Sequence, residues 1–241
     1  MSAARGRAWT VVALVFLFMV INFADKAVVG LASVPIMEEL HLSRAQFGML
    51  GSSFFLLFSV SGVAVGFLAD RFSTKTIMSI MGVVWAAALL PISMVSSFAV
   101  LVGSRVVLGA AEGPAFPVAV HAVYKWFPDE RRALPTSVVA SGAAVGAGIV
   151  APLVIWVIDA FGWHAAFGTL GVLGLAWVVL WLVLGSEGPA ARPSADLSGA
   201  GRRVPYGQLL LSRTAIGVYV AGFAAYWIIA LNLVFCLFLL F

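Results

Sequence analysis

Apolar runs of about 20 residues, the length an α-helix needs to cross the hydrocarbon core of a bilayer, recur along the whole chain. Six spans are predicted at about 9–36, 45–69, 76–95, 98–124, 134–158 and 164–184, and a seventh occupies 214–241. The chain is 63% hydrophobic and only 10% charged, whereas a soluble domain is about half apolar and a quarter charged. An all-α integral membrane protein follows. The N-terminal stretch "MSAARGRAWT" has the basic start of a signal sequence. The apolar run after it continues to Pro35 without an A-x-A cleavage pattern, so it reads as a retained first helix.

Loops between the spans are short except for 186–213, a Gly-, Pro-, Ala- and Arg-rich stretch that reads as a cytoplasmic linker. The expected organisation is a six-helix bundle over 1–185, this central loop, and at 214–241 the first helix of a second bundle. Basic residues set the orientation. With the N-terminus in the cytoplasm, eleven of the fourteen Lys and Arg fall on the inside, Arg44 alone falls outside, and Lys26 and Arg105 lie within spans. That pattern also accounts for the net charge of +4 without a nucleic-acid partner, since the bases are scattered over short loops. The single cysteine, Cys236, excludes a disulfide framework and a thiolate metal cluster. No metal site and no cofactor is expected. The motifs of metalloproteases, serine hydrolases and P-loop enzymes are missing from the sequence, so it does not read as an enzyme.

Four charged side chains fall inside the predicted spans: Asp25 and Lys26 in span 1, Arg105 and Glu112 in span 4. An isolated charge at mid-bilayer costs about 2.5–3.5 kcal/mol on insertion scales, so such groups persist when paired or when they line a wet cavity. An ion pair that merely fixes packing is the alternative, but four charges on two helices exceed what packing needs. Arg105 and Glu112 are seven residues apart and share one helix face about 10 Å apart along the axis. Asp25 falls between them in depth. Asp25 and Lys26 point about 100° apart, so they cannot face one partner. The spacing predicts Asp25 against Arg105, Lys26 projecting into a central cavity toward an anionic substrate, and Glu112 deeper and less compensated, ready to take up a proton. Gly113, Pro114 and Pro117 follow Glu112 and predict a broken helix there.

The stretch "GFLADRFSTK", Gly66 to Lys75, resembles the loop 2–3 signature of the major facilitator superfamily. In that resemblance Gly66 permits close helix approach, Asp70 caps span 3, and Arg71 and Lys75 hold the cytoplasmic side. "INFADKAVVG" resembles the span 1 motif N-[YF]-x-D-R of the anion:cation symporter family, and "SRVVLGAAEGPAFPVAVHAVYKWFPDERRA" resembles its span 4 and the following loop. The resemblance covers residues 9 to about 185. It implies a bundle of two inverted three-helix repeats and proton-coupled symport of a carboxylate-bearing organic anion, driven by the proton gradient across the inner membrane. Asp25 and Glu112 would couple protons; Lys26, with Arg105, would hold the substrate carboxylate. Lys26 stands where arginine is usual, and Phe54, Phe55 and Phe58 stand where relatives tend to carry a tyrosine, which favours a substrate less hydroxylated than a hexonate, such as an aromatic acid.

Full carriers of this kind have twelve spans in two rocking halves. The sequence is therefore expected to hold the N-terminal half of such a carrier, with membrane lipids and a missing C-terminal half or a second copy as partners. The alternatives are a non-transporting remnant or partner-binding membrane protein, and an efflux antiporter, against which Ala147 argues by standing where the antiporter signature has proline. Gly62/Gly66 and Gly142/Gly146 have the spacing for close helix contact. Trp126 and Trp163 read as interfacial anchors, His121 as a packed or loop-facing histidine, and His41 and His164 as outer-loop residues of little consequence.

Overall fold

The computed structural model describes residues 2–69, 71–189, 208 and 210–231 and divides into two compact units, Met1–Ala191 and Arg192–Phe241. In the first unit, α1 (Ser2–Leu31) leads through a break at Ala32 into short α2 (Ser33–Glu39). Then come α3 (Arg44–Ser53), α4 (Phe55–Ala69), α5 (Thr74–Leu89), α6 (Phe98–Glu112), α7 (Ala115–Tyr124), α8 (Ala133–Ala144), α9 (Ala151–Phe161) and α10 (Trp163–Leu184). Among the described residues six helical stretches are long and apolar enough to cross a membrane: Ala4–Leu31, Arg44–Ala69, Thr74–Ser93, Phe98–Tyr124, Ala133–Phe161 and Trp163–Leu184. They match the first six predicted spans, with boundaries displaced by a few residues. In the second unit α11 covers Arg213–Leu231, starting where the Ser212 hydroxyl accepts from the Ala215 N–H. Residues 232–241, the end of the predicted seventh span, lie outside the described residues, as does most of the predicted central loop.

Span 1 packs on spans 5 and 6, span 4 packs on spans 2 and 3, and spans 3 and 6 pack on each other. Exchanging span 1 with 4, 2 with 5 and 3 with 6 maps this set of contacts onto itself. Each repeat has three spans, so the second runs through the membrane in the opposite sense to the first: two inverted three-helix repeats, as expected. Large side chains fill the seam of spans 1, 3 and 6. Phe18 lies 4.7 Å from the Trp177 ring and edge-on to Trp85, and the Trp177 indole donates to the Leu14 carbonyl at 2.8 Å. Outward-facing Leu56, Val63, Leu153 and Val183 are exposed, the inverse of a water-soluble surface.

Irregular backbone interrupts three spans. Span 2 is broken at Phe54 and span 4 at Gly113–Pro114, while span 5 carries a π-helical turn at Val145–Ile149. The π turn is legible only after the fact, in the small residues of "VGAGI". Glycines bring helices into backbone contact at these places. A Cβ on Gly142 would lie 2.9 Å from the Phe16 carbonyl oxygen, and one on Gly146 2.2 Å from that of Val20. A Cβ on Gly62 would lie 3.4 Å from the Gly113 carbonyl oxygen. Gly66, expected at a close approach, is exposed and a Cβ there meets nothing within 4 Å, because its face of α4 points out of the unit. The N-cap of α5 is Ser73, whose hydroxyl accepts from the Thr76 N–H; Asp70, expected to cap this span, lies outside the described residues.

Candidate functional site

The four intramembrane charges meet at the contact of spans 1 and 4. Lys26 Nζ lies 2.5 Å from Glu112 Oε2, and Arg105 Nη2 lies 3.7 Å from Asp25 Oδ1. Asp25, Arg105 and Glu112 are buried, and the Lys26 side chain keeps 12% of its exposure. The Asp25 carboxyl also neighbours that of Glu112, so the four groups form one network. Successive residues of α1 point in different directions, and each charge of the adjacent pair therefore finds its own partner. Asp25 and Arg105 face span 6, where the Arg105 guanidinium lies 5.5 Å from the Phe167 ring. Lys26 faces span 2, with its ammonium 4.8, 5.6 and 6.0 Å from the ring centres of Phe23, Phe54 and Phe58.

The Asp25–Arg105 pairing agrees with the sequence reading. The expectation of a free Lys26 and a poorly compensated Glu112 does not: each is the other's partner. Gly109 meets the Phe54 backbone and Gly113 the Phe58 backbone, so span 4 lies directly against span 2 beside the Lys26–Glu112 contact. Sequence reasoning also gives no role to Asn22, whose Oδ1 accepts from the Lys26 ammonium. Its signals in the sequence are the i,i+4 spacing to Lys26 and its place as the first residue of the span 1 motif. Among the described residues, buried Asn22 Nδ2 and Arg105 Nε have no hydrogen-bond partner, and Arg105 Nη2 has only the longer ion-pair contact with Asp25. Asn22 Nδ2 and Arg105 Nε are thus donors without a partner beside buried Arg105 and part-buried Lys26, while the carboxylate oxygens of Asp25 and Glu112 also lack a hydrogen-bond partner and are held by the two cations.

Polar clusters fasten both ends of the bundle. At the end where α5 starts, Glu187 accepts from the Thr74 hydroxyl at 2.9 Å and the Lys75 N–H at 2.6 Å, and pairs with Lys125 at 3.0 Å. Lys75 Nζ also donates to the Leu182 carbonyl, and Trp126 Nε1 to that of Ser186. Burial pushes the Glu187 carboxyl up, but the Lys75 N–H, Lys125 and Thr74 outweigh it and hold it below the usual carboxylate range. Arg71 is exposed there. His121 is half-buried on α7. At the opposite end Glu39 accepts from Ser96 at 2.5 Å and from Trp163 Nε1 at 2.7 Å, while His164 Nε2 lies 2.9 Å from Ser96 Oγ. Trp163 is therefore a buried donor and not the expected interfacial anchor, and His164 has a structural place that the sequence did not reveal.

The family model described as Major Facilitator Superfamily matches residues 14–241. The chain belongs to that superfamily. Membership agrees with the inverted repeats and makes the protein a multi-pass member of a family of membrane transporters, not an enzyme. It is 30% identical over 175 residues to a D-galactonate transporter of Escherichia coli, covering 73% of this chain and 41% of that one. With a hexuronate transporter of Bacillus subtilis the identity is 30% over 225 residues, covering 91% of this chain and 53% of the relative. The chain spans about half the length of these relatives, corresponding to their N-terminal half. A bacterial homologue of the human lysosomal transporter Spinster, solved in an inward-facing and unoccupied conformation, superposes with a TM-score of 0.70 at 23% identity, covering 77% of this chain and 44% of that one. That likeness speaks for the fold alone.

Proposed function

We propose that the protein takes part in proton-coupled symport of a carboxylate-bearing organic anion, a sugar acid or an aromatic acid. The observation that carries the reading is the buried Lys26–Glu112 contact. A substrate carboxylate can take Lys26 only by displacing Glu112. An ionised Glu112 left without its cation in the membrane would cost several kcal/mol, so the exchange proceeds when Glu112 takes a proton. Anion and proton then occupy the site together, with no net charge added, and leave together. Arg105, whose Nε has no hydrogen-bond partner, would extend the anion site, and Asp25 would provide the second proton-exchanging carboxylate.

The names of the sugar-acid relatives support the carboxylate class. The proton gradient is the driving force and no cofactor is called for. We place the N-terminus on the cytoplasmic side of the plasma (inner) membrane, because the basic residues outside the spans fall almost entirely on that side. Gly66, Asp70, Arg71 and Lys75 would govern movement at the cytoplasmic face. A complementary helical bundle or a second copy of the chain would supply the opposing wall of the site.

The test uses the full chain in liposomes, with labelled sugar acids and aromatic acids offered under an inward proton gradient. Gradient-driven uptake of an acid, abolished in Glu112→Gln, is the expected result. Absence of uptake from folded, inserted protein would overturn the proposal, and so would uptake that the substitution leaves unchanged.

A further inference from the structure

The start of α1, the α7–α8 connection and the start of α8 enclose a cleft of about 1040 Å³ at the same end of the bundle as Glu187. Trp9, Trp126 and Phe127 line its body, and Arg5, Glu130 and Arg131 bring its charge. We propose that this cleft binds the headgroup of an anionic membrane phospholipid.

The arrangement follows the layers of a membrane surface. Arg5 and Trp9 are one turn apart on one face of α1, so Arg5 sits about 6 Å further out along the axis than Trp9. Indole and phenyl rings favour the level of the headgroups, and a guanidinium takes a phosphate through parallel donors. Arg131 brings a second guanidinium from the α7–α8 connection. Among the described residues neither arginine side chain has a hydrogen bond or ion pair. Neighbouring Arg132 differs: it donates to the Phe127 and Tyr124 carbonyls and pairs with Asp129, so it shapes the connection and is not available to a ligand. Among the described residues Glu130 is the single carboxylate lining the cleft, against the two arginines, which leaves it with net positive charge.

Charge also selects the occupant. The chain's own segment from 190 to 212 follows Pro189, which lines the cleft, but carries Arg192, Arg202 and Arg203 against one acid, Asp196. It has the cleft's own sign. A lipid phosphate has the opposite sign, and exposed Leu134 on the wall offers apolar surface for the acyl chain beside it.

The experiment is native mass spectrometry of the purified full chain titrated with phosphatidylglycerol or with phosphatidylcholine of the same acyl chains. Phosphatidylglycerol should be retained at least tenfold more tightly. Replacing Arg5 and Arg131 together with alanine should weaken it roughly 30-fold while leaving phosphatidylcholine unaffected. Glu130→Gln, which removes the opposing charge at an exposed position, should tighten it. Equal retention of the two lipids, or retention indifferent to these substitutions, overturns the proposal. Excess soluble glycerol 3-phosphate should leave the lipid bound; displacement by it would make the cleft a site for free phosphate esters and overturn the lipid assignment.

Discussion

Gly109 of α6 lies so close to the carbonyl of Phe54, at the break between α3 and α4, that a Cβ built on it would stand 1.8 Å from that oxygen. One turn on, a Cβ on Gly113 would stand 2.0 Å from the Phe58 carbonyl oxygen. Spans 2 and 4 therefore touch backbone to backbone beside Glu112, and the same approach sets the Phe54 and Phe58 rings around Lys26. Gly109→Ala must push the two helices apart. Overpacking of a close interface costs about 1–3 kcal/mol, and more when backbone is the obstacle. The substitution should lower the thermal unfolding midpoint in detergent clearly, whereas Gly66→Ala, with open space around its Cβ, should leave it unchanged.

Lys26 and Glu112 should show strong energetic coupling. Removing one member of a buried pair strands the other charge and costs about 3–5 kcal/mol, while replacing both by apolar groups of similar volume is often near neutral. Lys26→Met should therefore destabilise the bundle more than the double replacement Lys26→Met/Glu112→Leu. A double-mutant cycle followed by chemical denaturation in detergent measures the difference. Additive single effects would mean that the two charges do not depend on each other.

Much of this arrangement is legible in the sequence because apolar length and buried charge are strong signals in lipid. The spans follow from apolar length, the break after Glu112 from Gly113, Pro114 and Pro117, and the approach of Asp25 to Arg105 from the rise and angle of a helix. The Lys26–Glu112 contact was not legible, because it depends on how near span 4 comes to span 2. That distance is set by Gly109, whose pairing with Gly113 reads like any other small-residue spacing until the facing carbonyls are known. Glu187 was hidden for a related reason: its partners, Thr74, Lys75 and Lys125, come from remote parts of the chain and no local pattern joins them.

Glu187 closes the ends of α5, α7 and α10 against one another, accepting from the first turn of α5, where the orphan N–H groups of the helix favour an anion. Its carboxyl is held below the usual 4.5 in the folded protein. A group depressed in this way binds fewer protons folded than unfolded, so its contribution is complete above the ordinary carboxylate range and is lost as pH falls through the folded value. Glu187→Gln keeps the shape but gives up the charge and one acceptor, and should cost about 1 kcal/mol near neutral pH, a figure reduced for its partial exposure. The wild type should lose this advantage on acidification below about pH 4.5, until the two proteins unfold at the same denaturant concentration. Denaturation midpoints measured for both across the acid range check the sign. A gap that persists unchanged at the lowest pH would show that the side chain acts through packing and not through its charge.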